Sequence, residues 1–246
     1  MEQTIWKNVR ATWLSHRPSP LAGFISALTV LILVIGAIGY WDGFAGADQW
    51  MPASGQNVFE KKQYWRLWTA LISHADIGHL LSNMILFFVL GYLLVGFFGL
   101  WMFPTAALFF GGIINYIVLK GYPPEVNLLG ASGVVYWMGG AWLALYCLLD
   151  EKRSRLHRGI RAVGVGLGVF MPTSAFDPQV SYSAHFTGFV LGIGFALVYY
   201  FLRRKEFKNA VQFEWVDSEG NKVNHPHDPL GLSHPNFHRH GHSEWN

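Results

Sequence analysis

Residues 77–119, IGHLLSNMILFFVLGYLLVGFFGLWMFPTAALFFGGIINYIVL, contain no Asp, Glu, Lys or Arg. A bilayer accepts about 20 apolar residues per crossing helix, so this run is long enough for two. Gly99 and Pro104 interrupt helical continuity, which puts the reversal of direction in the Gly96–Pro104 stretch. The stretch therefore predicts an antiparallel pair of membrane spans. It also holds His79 and Asn83, polar residues in otherwise apolar surroundings.

Outward from this pair, further uncharged runs cover 18–41, 126–149, 162–176 and 178–202. Together they predict an all-α membrane protein, a six-helix bundle, in which the 162–176 run is the shortest and most thinly anchored span. Composition agrees: 52% of the 246 residues are hydrophobic and 13% are charged, against roughly 25% charged in a soluble domain. Three regions follow, an N-terminal segment 1–20, a six-span core 21–203 and a polar tail 204–246.

Charge placement sets the orientation, because Lys and Arg accumulate in cytoplasmic connections. With the N-terminus inside, the inner segments carry Lys7, Arg10, Arg17, Lys152, Arg153, Arg155, Arg158, Arg161, Arg203, Arg204 and Lys205, while the outer loops carry Lys61, Lys62, Arg66 and Lys120. Eleven against four predicts cytoplasmic termini in a multi-pass protein of the cell membrane, read as a bacterial inner membrane. The net charge of +3 reads as topology, with the lipid bilayer as partner and no nucleic acid. The first apolar run is too long for a cleavable secretion signal and lacks a small-residue cleavage site, so it reads as the first span.

Trp6, Val9 and Trp13 beside Lys7, Arg10 and Arg17 suggest a short helix in the inner interface, or a loose tail. The outer segment 42–73, with Trp41 at its edge and Trp50, Trp65 and Trp68 within it, is expected to lie partly in the outer leaflet. Beyond Arg203 the tail has too few apolar residues for a core of its own. Its His238, His240 and His242 alternate as metal ligands do, but a solvated tail is the simpler reading. Cys147, the single cysteine, reads as apolar filling in the fourth span.

Polar groups inside spans are costly and so become functional candidates. His79, Ser132 and His185 sit near the starts of spans two, four and six, all of which enter from the outer side. They therefore share a shallow depth, with Asn83 one helical turn below His79. Ala184, Gly188, Gly192 and Ala196 form a small-residue stripe on the sixth span, and Ser132, Tyr136, Gly140 and Ala144 repeat that spacing on the fourth. If the stripes face each other, His185 reaches Ser132.

A serine hydroxyl needs a base to become a nucleophile, and a Ser–His pair is the minimal machinery for acyl transfer. No carboxylate lies within a span; Asp76, Asp150 and Asp177 are at boundaries. The reading is a metal-free dyad, with Tyr136 placed to pack against the His185 ring. Donors for an oxyanion are the Ser132 N–H at a helix N-terminus and the side chains of His79 and Asn83. Gly130 and Gly133 flank the serine and allow close backbone approach.

The stretch His74-Ala-Asp-Ile-Gly-His79-Leu-Leu-Ser-Asn83 resembles the His-x4-His-x3-Asn signature of rhomboid proteases. Gly130-Ala-Ser132-Gly133 is similar to their Gly-x-Ser-Gly, Ala184-His185 with Gly188 and Gly192 to their last catalytic helix, and Trp65-Arg66 to their outer loop. The likeness runs from about residue 20 to 203. It implies Ser132 as nucleophile, His185 as general base and then acid, and His79, Asn83 and the Ser132 amide as the oxyanion site. It also implies a shaping role for His74, no cofactor, transmembrane protein substrates, and a fifth span that gates their entry.

A pseudoenzyme on the same scaffold would lack the serine or the histidine, and both are present. A small transporter would show pseudo-symmetric halves, which the sequence does not. A zinc protease of the His-Glu-x-x-His type is disfavoured because that motif is missing.

Overall fold

The structure is a computed structural model and describes residues 5–170 and 181–223. A strand β1 (Trp6–Ala11) and a tight helical turn at Trp13–Ser15 precede the first long helix, α1 (Ala22–Trp41). The 42–73 segment holds α2 (Ala47–Trp50), a π-helical turn at Gln56–Glu60 and α3 (Arg66–Ile72). Then come α4 (Ile77–Phe98), a wide turn at Trp101–Ala106 that leads into α5 (Ala107–Leu119), α6 (Ser132–Leu149), α7 (Arg155–Phe170) and α8 (Tyr182–Asn209). Strands β2 (Gln212–Val216) and β3 (Lys222–Val223) close the described chain.

Among the described residues five helical stretches are long and apolar enough to cross a membrane: α1, α4, Trp101–Leu119, α6 and α8. The anticipated reversal occurs at Gly99, whose φ of 81° only glycine adopts freely and whose N–H closes α4 on the Val95 carbonyl. The expected fifth span differs in its start. Its helix, α7, begins at Arg155 and thus includes Arg158 and Arg161, and the end of the 162–176 run lies outside the described residues.

The core is apolar as in a water-soluble protein, but much of the surface is apolar too. Trp137, Val134, Met138 and Leu145 of α6 are shielded from every side, so α6 is the axis of the bundle. Phe24, Ile35, Ile85, Phe186 and Leu202 instead point outward. An apolar belt of that extent in water would drive association, whereas lipid tails accept it without cost.

The N-terminal segment corrects the helix expectation. Trp6–Ala11 is a strand, antiparallel to β2, which in turn pairs with β3. The partner strand lies some two hundred residues away in the chain, where no local periodicity reveals it. The tail likewise departs from the boundary at 203, because α8 continues to Asn209, with Arg203 and Glu206 paired across one turn. Just past β1, Trp13 donates its Nε1–H to the Phe97 carbonyl at 2.9 Å and meets the buried Phe207 edge-on at 5.1 Å. Phe98, Tyr199 and Tyr200 complete that aromatic cluster. The segment before α1 and the end of α8 are thereby fastened to one end of the bundle, opposite to the end where α4, α6 and α8 begin.

Candidate active site

Among the described residues, helices α6 and α8 form the most extensive contact between elements. A Cβ at Gly188 would collide with the Gly133 carbonyl and one at Gly192 with the Trp137 carbonyl, so only glycine permits this approach. Successive contacts climb both helices together, from Gly133 against Ala184 and Gly188 to Trp137 and Ala141 against Gly192, which makes the two helices parallel.

The facing line on α6 is one residue round from the expected one. The α8 stripe of Ala184, Gly188, Gly192 and Ala196 is buried as anticipated. Opposite it stand Gly133, Trp137 and Ala141 in place of Ser132, Tyr136 and Ala144, while Gly140 of the expected line does meet α8, at Phe189. The contact is one of backbone against backbone: the carbonyls of Gly133 and Trp137 sit against the bare Cα atoms of Gly188 and Gly192. Ser132 precedes that contact line by one residue on α6, and His185 follows it by one on α8. Each residue turns a helix by about 100°, so on parallel facing helices a preceding and a following residue lie on the same flank.

On that flank the His185 ring stacks on Tyr136 at 3.9 Å between centroids, 9° from parallel. Tyr136 is held in turn by its hydroxyl, which donates to the Phe170 carbonyl at 2.6 Å. Ser132 is half-buried as the first residue of α6. Among the described residues no hydrogen bond joins its hydroxyl to His185, and no carboxylate bonds the imidazole. His185 and Tyr136 border an apolar cavity of about 520 Å³ between α6, α7 and α8, lined also by Phe170, Phe186 and Phe189.

The chain before Ser132 is fixed by backbone bonds. Gly130 donates to the Ala70 carbonyl at 2.8 Å, and Leu128 to Ala53 at 2.7 Å. Gly130 holds φ at +100°, and a Cβ there would sit 2.6 Å from Cε1 of His79, so its backbone lies directly against that ring. Asn83, one turn along α4, is buried with its side-chain amide nitrogen unpaired. His74 is fully buried and meets His79 edge-on at 5.2 Å, while its carbonyl accepts the Trp41 indole N–H at 2.7 Å. Burial, with the charge of His79 second, lowers the His74 imidazole to about 4.

The structure thus brings His79 to the turn before Ser132, and His185 to Tyr136 one helical turn past it. Comparison with known proteins places this arrangement. The rhomboid domain model matches residues 61–204, more than half of the chain, a stretch that runs from just before α3 into α8 and includes His74, His79, Asn83, Ser132, Tyr136 and His185. The chain belongs to the rhomboid family. Relatives include a rhomboid protease GlpG of Haemophilus influenzae, 25% identical over 76% of this chain and 93% of its own length. Another, a rhomboid protease GlpG of Photorhabdus laumondii, is 28% identical over 82% of this chain and 68% of its length. RHOMBOID-like protein 7 of Arabidopsis thaliana is 29% identical over 66% of this chain, which spans about half of that relative's length, 49%.

In this rhomboid the 42–73 segment is built around Arg66, which is buried and donates to the Gln49 and Pro52 carbonyls at 2.7 and 2.9 Å and to Gln63 at 2.6 Å. Three bonds to a buried guanidinium convert an irregular loop into a fixed wall beside the site. Several contributors escaped the reading of the sequence. Asp76 caps α4 by accepting the His79 N–H at 2.8 Å, a role its position three residues before His79 would have suggested. Ser181 caps α8 in the same way through the Ala184 N–H. Tyr122, bonded to Ser181 and Ser183, had no local signature at all. Of the other boundary carboxylates, Asp150 pairs with Arg153 at 2.6 Å, and Asp177 lies outside the described residues.

Proposed function

We propose that this rhomboid is a serine endopeptidase that hydrolyses peptide bonds in or near transmembrane segments of other membrane proteins. Ser132 is the nucleophile and His185 its base. The carrying observation is the parallel α6–α8 contact: it puts Ser132 and His185 on one flank, where the His185 ring lies flat on Tyr136.

Ser132 Oγ attacks the scissile carbonyl carbon as His185 takes the hydroxyl proton. Negative charge then develops on the carbonyl oxygen, and the Ser132 N–H, unpaired at the start of α6, faces it with the helix dipole behind. His79, against the Gly130 backbone, and the unpaired Asn83 amide supply further donors from α4. His185 returns the proton to the leaving amine, and a water repeats the sequence on the acyl-enzyme. Stacking on Tyr136 gives the imidazole the fixed orientation that a carboxylate supplies in a triad. The missing Ser132–His185 hydrogen bond fits this reading, since such bonds tighten when substrate arrives.

In this reading the site opens to the outer side of a bacterial inner membrane, with both termini cytoplasmic, an orientation supported by the Lys and Arg distribution. Substrate helices enter beside α7, which packs chiefly on α6 and leaves most of its length exposed. The test is cleavage of a model single-span protein co-reconstituted in vesicles. The parent chain should cut it with EDTA present, and Ser132→Ala and His185→Ala should not. Cleavage by either variant, or its loss on chelation alone, would contradict the assignment.

A further inference from the structure

The loop between α5 and α6 ends on Ser132, and its other end touches the helix that carries His185. Tyr122, three residues past Leu119, places its hydroxyl 2.8 Å from Ser181 Oγ and 2.9 Å from Ser183 Oγ. Ser181 starts α8: its Oγ accepts the Ala184 N–H at 3.2 Å and its carbonyl the His185 N–H at 3.1 Å. One serine is therefore bonded both to the loop tyrosine and to the backbone of the proposed base.

The rest of the loop is anchored elsewhere. The Pro124 carbonyl accepts from Gln56 at 2.9 Å, Leu128 pairs with Ala53, and Gly130 donates to Ala70. These bonds tie the loop to the 42–73 segment, α3 included, none of which belongs to α8. Tyr122 and the α6–α8 contact line are then separate means of setting how the first turn of α8 sits relative to the loop that delivers Ser132. A phenol hydroxyl donates one bond and accepts others, so both serines can be satisfied at once. The ring itself packs on the core.

We propose that Tyr122 is a positioning residue for His185, its hydroxyl joining the loop that delivers the nucleophile to the first turn of the base's helix. This rests on the protease reading above. The phenol touches neither substrate nor the reacting atoms; it sets the spacing between the two groups that do. Displacement of a reacting group by about 1 Å costs up to roughly a hundredfold in rate, so loss of one restraint among several is expected to cost less.

Tyr122→Phe keeps the ring and removes the bonds. Its kcat on a transmembrane substrate and its rate of fluorophosphonate labelling should fall in step, by about 10-fold, with KM unchanged and the chain still fully folded at the assay temperature. Labelling isolates the Ser–His pair, since the probe is small and needs no helix docking. Ser183→Ala should act in the same direction, and adding it to Tyr122→Phe should cost little more, because both remove one network. Parent-like rates in Tyr122→Phe, a loss that follows the unfolding midpoint, or full additivity in the double variant would overturn the proposal. A parent chain that neither cleaves nor labels would overturn the protease reading itself; an active parent with an unaltered Tyr122→Phe overturns the tie alone.

Discussion

Gly188 and Gly192 on α8 have the same four-residue spacing as Gly164 and Gly168 on α7, and the two pairs do opposite things. A Cβ on the α8 pair would strike the α6 backbone, whereas one on the α7 pair would meet nothing within 4 Å. Identical spacing marks a seam in one helix and open space in the other. The α6–α8 seam is closed by backbone against backbone, and the α7 glycines lie clear of any neighbour.

The comparison is broken most directly by adding volume. Gly188→Val should destabilise by about 3 kcal/mol or more, because the obstacle is backbone and cannot rotate away; a lowered unfolding midpoint in detergent, with loss of cleavage, is the expected result. Within the seam, Tyr136→Ala removes the surface under His185 and should lower the labelling rate by about a hundredfold. Tyr136→Phe keeps the stack and loses only the bond to Phe170, at about 1 kcal/mol of stability, and should keep most of the activity. Equal losses in both variants would show that the hydroxyl, not the stacked ring, orients the imidazole.

A smaller effect concerns pH. His74, fully buried beside His79, is lowered from 6.5 to about 4 in the folded chain. The unfolded chain therefore binds a proton first as pH falls, so stability is retained above 6.5 and lost between 6.5 and about 4. The unfolding midpoint should decline across that window in the parent chain and decline less steeply in His74→Phe. The smallest effect belongs to α7: Gly164→Ala should leave the fold intact and add up to about 1 kcal/mol of helix propensity, measured as an unchanged or slightly raised midpoint.

What could be read in advance divides along the same line. His185 and Tyr136 were legible because four-residue spacings mark helix faces, and depth followed from where uncharged runs begin. The register of the α6–α8 contact was off by one residue, since spacing cannot distinguish Ser132 from Gly133 as the facing residue; contact with Gly188 does. Three-dimensional pairing hid the rest. Strand β1 meets a partner from the far end of the chain, and Tyr122 reaches Ser181 across 59 residues, a bond that no local pattern announces.

The most direct test of the proposed chemistry is a fluorophosphonate adduct located by peptide mass spectrometry. Ser132 should carry the label in the parent chain, and none should form in Ser132→Ala or His185→Ala at equal folded concentration. An adduct on another serine, or labelling that persists without His185, would contradict the proposed pair.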